Sequence, residues 1–398
     1  MRILMITNTF TPHISGIARS IQCFTDQYRD KGHTVCVIAP SNLTGDPYAD
    51  DHNTIRIPAF ENIGGSSFCL PSLSSKSKKT ILQTSALFFP DIVHAHQPFL
   101  LGDLARLISE KLKVPLLYTQ HCLYENFNHL LQNNQRTDFF LKDISTQYAN
   151  LCDAVIAPSE SIRQIMLQRG VQTPVNTLPN GTDIQKFAKG NKNYWRNKLG
   201  IQETDFVIGH VGRLSPEKNL PLLATCMKWF LPKSSRSHFL LVGDGPSETT
   251  IRETLANTPR AHLVGSRSGQ ELIDAYHAMD VFAFPSLIDV GPLVLAEAMA
   301  AGVPVAAFNA QGSKDIVQDG VNGRLVEPNN IKEFGKAIAW CLRNKKTLQP
   351  AIKQTARRFG QEICADRVLA LYKQTNYRPK SALKTLAFAK ALAAQRTA

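Results

Sequence analysis

Ten short apolar runs recur along this 398-residue chain, each leading into an amphipathic stretch, and they fall into two series of five. The first series is Arg2 to Thr7, Thr34 to Ala39, Asp91 to Ala95, Pro115 to Thr119 and Asp153 to Ala157. The second is Phe206 to Val211, Phe239 to Val242, His262 to Val264, Asp280 to Phe284 and Pro304 to Phe308. Short strands alternating with helices are the pattern of a mainly parallel sheet covered by helices, so the fold class is α/β. The length exceeds one ordinary core and predicts two domains of about 180 residues each. Between the series, LPNGTDIQKF carries an Asn-Gly turn, followed by a polar segment rich in Lys and Asn. The boundary is therefore expected between Phe187 and Gln202, giving domains over 1–187 and 203–375 and a basic tail or helix over 376–398. The two halves match in pattern and not in sequence, so no solenoid repeat is present.

The opening MRILMIT soon runs into polar residues and reads as a first strand rather than a signal peptide. No run approaches the roughly 18 to 20 apolar residues that a membrane span needs. The eight cysteines are scattered without a C-x-x-C pair, which indicates neither a zinc site nor a disulfide framework and fits a reducing cytosol. The formal net charge of +13 is uneven: residues 1–185 hold 15 basic and 15 acidic side chains, whereas the last 58 residues hold 13 basic ones against Glu362 and Asp366. A basic end of this kind suits an anionic membrane or nucleic acid, and a solvated helix would look the same.

In FPSLIDVGPLVLAEAMAAGVPVAAF, from Phe284 to Phe308, Asp289 and Glu297 stand eight positions apart around a predicted helix start. Pro292 suits the first helical position, and Gly302 with Pro304 ends the helix about three turns later. Asp289 then lies just before the positive end of the helix and Glu297 about a turn inside it. Carboxylates there can accept hydrogen bonds from hydroxyls, while free backbone N–H groups can face phosphate. An isolated pair of this kind would equally be a cap and a solvated helix residue.

Each half also supplies a loop suited to phosphate. In the first, the strand leads into NTFTPHISGIARSI, where Gly16 permits close backbone approach before a helix. In the second, HVGRLSPEKNL groups Gly212, Arg213 and Lys218 at a strand's carboxyl end, the edge on which open α/β sheets bind ligands. Arg213 can fork two phosphate oxygens and Lys218 adds a point charge. VGDGP at Val242 to Pro246 repeats the theme.

Together, GRLSPEKN, VGDGP, PSLIDVGPLVLAEAMAAGVPVAA and LPNGTDIQKF resemble, in order and interval, the GT-B retaining glycosyltransferases of family 4. The resemblance runs from Met1 to about Tyr372. It implies two Rossmann-like domains facing each other across a cleft that holds a nucleotide sugar. It also implies that Arg213 and Lys218 hold the diphosphate, Glu297 the ribose hydroxyls and Asp289 the donor hexose. Gly16 would meet the diphosphate from the opposite domain, and Gly212, Val290, Gly291 and Leu293 would complete the donor site. At position 289 the family more often has Glu; the shorter Asp must bring its loop closer or change the hexose contact.

Breaking the bond from the anomeric carbon to the diphosphate leaves negative charge that preorganised donors must stabilise. The sequence has no D-x-D motif for a catalytic metal, and Arg213, Lys218 and the helix N-terminus can supply that charge. The expectation is no metal and no cofactor, the nucleotide sugar being a substrate. SGIARSI and TQHCLYENF resemble the branch that glycosylates diacylglycerol and related lipids. In that branch His121 would lie beside the donor hexose, with catalytic Arg213, Lys218 and Asp289, and Tyr124 and Glu125 would shape the acceptor side. His94 and His96 share one face of a strand with no third ligand evident, and read as structural or cleft-lining. The Gly/Ser-rich Glu61 to Thr80, ending in Lys76, Lys78 and Lys79, reads as a loop able to touch a membrane, and 376–398 as a basic amphipathic helix on an anionic bilayer.

The whole implies a metal-independent hexosyltransferase, cytoplasmic and peripheral at the inner face of a membrane, that uses UDP-glucose and a diacylglycerol-type acceptor and binds no nucleic acid. Alternatives are transfer to a phosphoinositide, a lipopolysaccharide core or a soluble acceptor, a GT-B sugar-nucleotide epimerase, and a binding protein without catalysis.

Overall fold

Strands form at all ten predicted runs in the computed structural model, which describes residues 1–12, 15–41, 53–60, 70–125 and 135–380. The chain divides into two compact units, Met1–Gly181 together with the segment from Gln361, and Thr182–Gly360.

The first unit contains β1 (Arg2–Ile6), α1 (Gly16–Asp30), β2 (Thr34–Pro40), β3 (Thr54–Ile57), the short β4 (Ala59–Phe60) and β5 (Leu70–Pro71), α2 (Ser75–Phe88) and β6 (Ile92–Ala95). It continues with α3 (Leu101–Leu112), β7 (Leu116–Thr119), α4 (Gln135–Leu151), β8 (Ala154–Ala157), α5 (Glu160–Gln168) and β9 (Val175–Thr177). Among the described residues its main sheet is parallel, in the order β3-β2-β1-β6-β7-β8-β9. Covering helices bury both faces, which is why β6, β7 and β8 are buried at every position. Side-chain caps start the helices: Ser15 Oγ accepts from Ala18 N, and Ser159 Oγ from Ile162 N.

The second unit contains α6 (Ile184–Phe187), α7 (Lys192–Lys198), β10 (Phe206–Val211), α8 (Leu220–Phe230), β11 (Ser237–Val242), α9 (Glu248–Leu255) and β12 (Ala261–Gly265). Then follow α10 (Gly269–Ala278), β13 (Val281–Phe284), α11 (Leu293–Ala300), β14 (Val305–Phe308), α12 (Ser313–Ile316), β15 (Gly323–Val326) and α13 (Ile331–Arg357). Its parallel sheet runs β12-β11-β10-β13-β14-β15, the doubly wound order. Alternation along β13 sends Phe282 and Phe284 into one core, and Val281 and Ala283 into the core on the opposite face. In each sheet the strand order reverses beside the first strand, between β1 and β6 and between β10 and β13.

Three sequence expectations are corrected. The chain passes between units at Gly181 and Thr182, earlier than the expected boundary after Phe187. It returns at Gln361, so α14 (Gln361–Gln374), expected in the second domain, belongs with the first. The reason is apolar: Cys364, Ala365, Val368, Leu369 and Tyr372 join Ile21, Phe24 and Tyr28 of α1 in one core. The expected basic tail or helix over 376–398 begins as non-helical chain held to the first unit, since Lys380 Nζ lies 2.7 Å from Asp153 Oδ1, which also accepts from Arg378 N at 3.0 Å; residues 381–398 lie outside the described residues. Finally, Lys76, Lys78 and Lys79 sit on α2 rather than in a loop, because Ser74 Oγ accepts from Ser77 N at 3.1 Å and starts the helix. Positions 61–69 of that segment are outside the described residues.

Candidate functional site

The loops that follow β10 and β13 leave adjacent parallel strands at the switch point of the second sheet. In doubly wound sheets that crevice is where ligands bind.

The loop after β10 is braced by the VGDGP loop. Gly212 N donates to Val242 O at 3.1 Å, Leu214 N to Asp244 O at 2.7 Å and Ser247 N to Leu214 O at 2.7 Å. This approach demands glycine: a Cβ on Gly243 would stand 1.9 Å from the Gly212 carbonyl oxygen, and one on Gly245 2.6 Å from that of Leu214. Both have positive φ, +143 and +146, which L side chains rarely adopt. VGDGP thus acts as a brace for Gly212 and Arg213.

Three contacts join the β10 loop to the β13 loop. Asn219 Nδ2 donates to Pro285 O at 3.4 Å, Ser286 Oγ to Glu217 O at 3.3 Å, and Lys218 Nζ to Asp289 Oδ2. The side chains of Lys218 and Asp289 keep 23% and 15% of their exposure, so this ion pair borders solvent. Arg213 is exposed beside it in sequence, and Val290, Gly291 and Leu293 are half-buried. Helix α11 starts at Leu293 with Pro292 as its cap residue, one position later than the sequence suggested, and no side chain caps it. Its first N–H groups therefore lack side-chain acceptors.

Glu297 differs from Asp289. It is fully buried, and Tyr276 donates its O–H to Glu297 Oε2 at 2.7 Å. The Tyr276 ring is fixed edge-on by Phe187 at 5.6 Å and stacked on Phe282 at 5.9 Å.

The first unit contributes its own strand ends. Gly16 is the first residue of α1, and a Cβ there would meet no described atom within 4 Å. His121, just past β7, is buried, and its Nε2 lies 2.9 Å from His96 Nδ1. His94 instead packs inward, with Nδ1 2.6 Å from Tyr372 Oη and Nε2 2.7 Å from Thr119 Oγ1. Burial holds His94 and His121 down to about 3, and His96 is also well below its usual value. Tyr124 packs edge-on against Phe99, with ring centroids 4.9 Å apart. Glu125 pairs with Arg169 at the end of α5. Residues 126–134, which include the last two positions of TQHCLYENF, are outside the described residues.

Three residues went unnamed in the sequence reading, and a fourth, His96, was named without its partner. His96 is the partner of His121. Gly312 supports Asp289, since a Cβ there would stand 2.4 Å from the Asp289 carbonyl oxygen. Tyr276 holds Glu297. His210 donates from Nδ1 to Ala283 O at 2.8 Å, and burial, with the nearby Lys218 charge, lowers it to about 4. The HVG and AYHAMD segments contain His210 and Tyr276, but no local rule assigns them partners. A third imidazole, that of His121, stands beside this pair, but it meets His96 rather than completing a ligand set. The His96 and His121 nitrogens point at each other rather than converging on a common centre, and no described group of His, Cys, Asp and Glu could hold a metal ion.

The family described as Glycosyltransferase Family 4 matches residues 14–186, and that described as Glycosyl transferases group 1 matches residues 191–359. An alpha-monoglucosyldiacylglycerol synthase of Streptococcus pneumoniae is 26% identical over 91% of this chain and 84% of its own. A GDP-mannose-dependent alpha-mannosyltransferase of Corynebacterium glutamicum is 26% identical over 86% of this chain and 81% of its own. The crystal structure of Anabaena Alr3699/HepE in complex with UDP superposes with a TM-score of 0.76 at 21% identity, covering 94% of this chain and all of that one. Two Rossmann-like domains of this kind define a GT-B glycosyltransferase, an enzyme that transfers a hexose. The two matches together span most of the chain and identify it as a glycosyltransferase built of a Family 4 domain followed by a group 1 domain.

Proposed function

We propose that this enzyme transfers glucose from UDP-glucose to a diacylglycerol-type membrane lipid, with retention of anomeric configuration and without a metal ion. The observation that carries the reading is the Lys218–Asp289 pair at the β10/β13 switch point. It sets an ammonium, suited to a leaving diphosphate, beside a carboxylate suited to a hexose hydroxyl. Arg213 and the N-terminus of α11 add positive charge, Gly212, Val290, Gly291 and Leu293 line the donor, Glu297 takes the ribose, and Gly16 meets the diphosphate. As the C–O bond to the diphosphate breaks, the acceptor hydroxyl attacks the face the leaving group vacates and gives its proton to a donor phosphate oxygen. His121 contacts the hexose, and Tyr124 and Glu125 shape the acceptor side.

The lipid acceptor rests on likeness to the streptococcal synthase and on α2, where Lys76 and Lys79 are exposed and Leu87 and Phe89 keep 75% and 72% of their surface. Basic residues on the first turns of α2, with exposed apolar residues at its far end, suit the inner face of an anionic bilayer. Among the described residues no helix is long and apolar enough to cross a membrane. The rival reading, mannosyl transfer from GDP-mannose, is favoured by the corynebacterial relative.

A donor screen by thermal shift tests the donor, since a ligand at about 100 times its dissociation constant stabilises a fold by roughly 2.7 kcal/mol. UDP-glucose should shift the transition and GDP-mannose should not; the reverse supports the rival. Release of UDP that depends on diacylglycerol vesicles tests the acceptor, and release independent of lipid overturns it.

A further inference from the structure

We infer that His96 is a positioning residue that fixes the proton of His121 on Nδ1, so that His121 meets the donor sugar as an N–H donor. The inference rests on the reading of His121 as the hexose contact and deepens it.

The geometry is that of an in-plane hydrogen bond. His96 Nδ1 and His121 Nε2 are 2.9 Å apart, the ring centroids are 5.1 Å apart and the planes differ by only 24°. Two imidazoles joined through their nitrogens have about this separation, whereas rings packed face to face lie closer. The His96 ring also packs against His94, whose centroid is 4.2 Å away and whose two nitrogens are both occupied, by Tyr372 Oη and Thr119 Oγ1. His96 has little freedom to turn.

One proton serves this bond, because burial keeps both imidazoles neutral. If His121 donated from Nε2, neutral His96 would carry its own proton on Nε2. That nitrogen is buried and has no partner among the described residues, so an N–H would be left without an acceptor. If His96 donates from Nδ1, its Nε2 is a bare lone pair instead. Orphaned buried donors are rarer than under-satisfied acceptors, which favours the second arrangement. His121 must then keep its proton on Nδ1, the nitrogen left for a ligand. An N–H in that place recognises a hydroxyl oxygen and cannot serve as a base.

The test is 15N NMR of histidine-labelled full-length protein, with His121 assigned from the missing signals of His121→Ala. The expected result is a protonated Nδ1 and a bare Nε2 on His121. In His96→Phe, which keeps a ring against His94, that preference should vanish and kcat should fall about ten- to hundredfold with donor KM little changed. His96→Asn, which keeps an N–H donor near the Nδ1 position, should restore both. A wild-type His121 protonated on Nε2 overturns the inference, and so does a His96→Phe enzyme that folds with tautomer and kcat unchanged. If His121→Ala keeps full activity, the hexose contact is what fails, while the NMR result still decides whether His96 sets the tautomer.

Discussion

Lys218 donates to Asp289 across two loops that lie 71 positions apart in sequence and leave adjacent strands of one sheet. Each is therefore the other's counter-ion. If a bound nucleotide sugar exchanges this pairing for its own phosphate and hydroxyl oxygens, as proposed, the two residues should act as a unit. Lys218→Ala is expected to abolish most transfer, a loss of about 100-fold or more in kcat. Asp289→Asn, which keeps an acceptor oxygen, should cost less. The double variant should lose less than the product of the two, measured as kcat/KM in a double-mutant cycle. Stability should change by no more than about 1 kcal/mol, because the pair is partly solvated.

Tyr276 supplies a hydrogen bond to a carboxylate that has no contact with solvent. Tyr276→Phe keeps the ring packed on Phe187 and Phe282 but removes that donor, and urea unfolding should report a loss of about 1–3 kcal/mol. If Glu297 binds the ribose, the same change should weaken UDP more than 2′,3′-dideoxy-UDP in calorimetry. Equal weakening of both would remove Glu297 from the ribose.

Buried neutral histidines make stability depend on pH in a definite direction. His94 and His121 are lowered to about 3 and His210 to about 4, against about 6.5 when unfolded. Below about pH 6.5 the unfolded chain takes up protons that the folded chain refuses. The stabilisation is whole above that pH and is lost as pH falls toward 4 and 3, by about 1.4 kcal/mol per unit for each group. Urea midpoints should drop from pH 7 to pH 5.5, and His94→Gln should flatten the slope.

The brace of VGDGP against the β10 loop leaves no room for a methyl group. Gly243→Ala should push Gly212 and Arg213 away, lowering the thermal transition and raising the donor KM together. Gly16→Ala, which meets no described atom, should leave the transition unchanged. A change in KM alone there would place a ligand against α1.

If Arg213, Lys218 and the start of α11 neutralise the leaving diphosphate, as proposed, no divalent ion is required. Transfer should persist in excess EDTA, and strong inhibition reversed by magnesium or manganese would contradict that expectation.

The strands were legible because a buried parallel strand has to be an unbroken apolar run. Ile92–Ala95 and Val305–Phe308 declare themselves locally. Three of the four edge strands did not: Thr54–Ile57, Val175–Thr177 and Gly323–Val326 bury few of their positions and so carry a weak apolar signal, whereas the fourth, β12, was legible although it is half-buried throughout. The start of α11 missed by one residue, since Pro292 satisfies either a cap or a first-turn position.

What the sequence determined by itself is local: the alternation that makes two doubly wound sheets, the glycines of the β10 and β11 loops, and a carboxylate on each side of a helix start. Those follow from backbone sterics and from the periods of strand and helix, which act over a few residues. Partnership was decided by the tertiary structure. Strand order and parallel register bring Lys218 to Asp289, Tyr276 to Glu297 and His96 to His121, and the apolar face of α14 draws the end of the described chain back onto the first unit. No local pattern encodes which loops meet, because that depends on which strands become neighbours once each helix has crossed over the sheet.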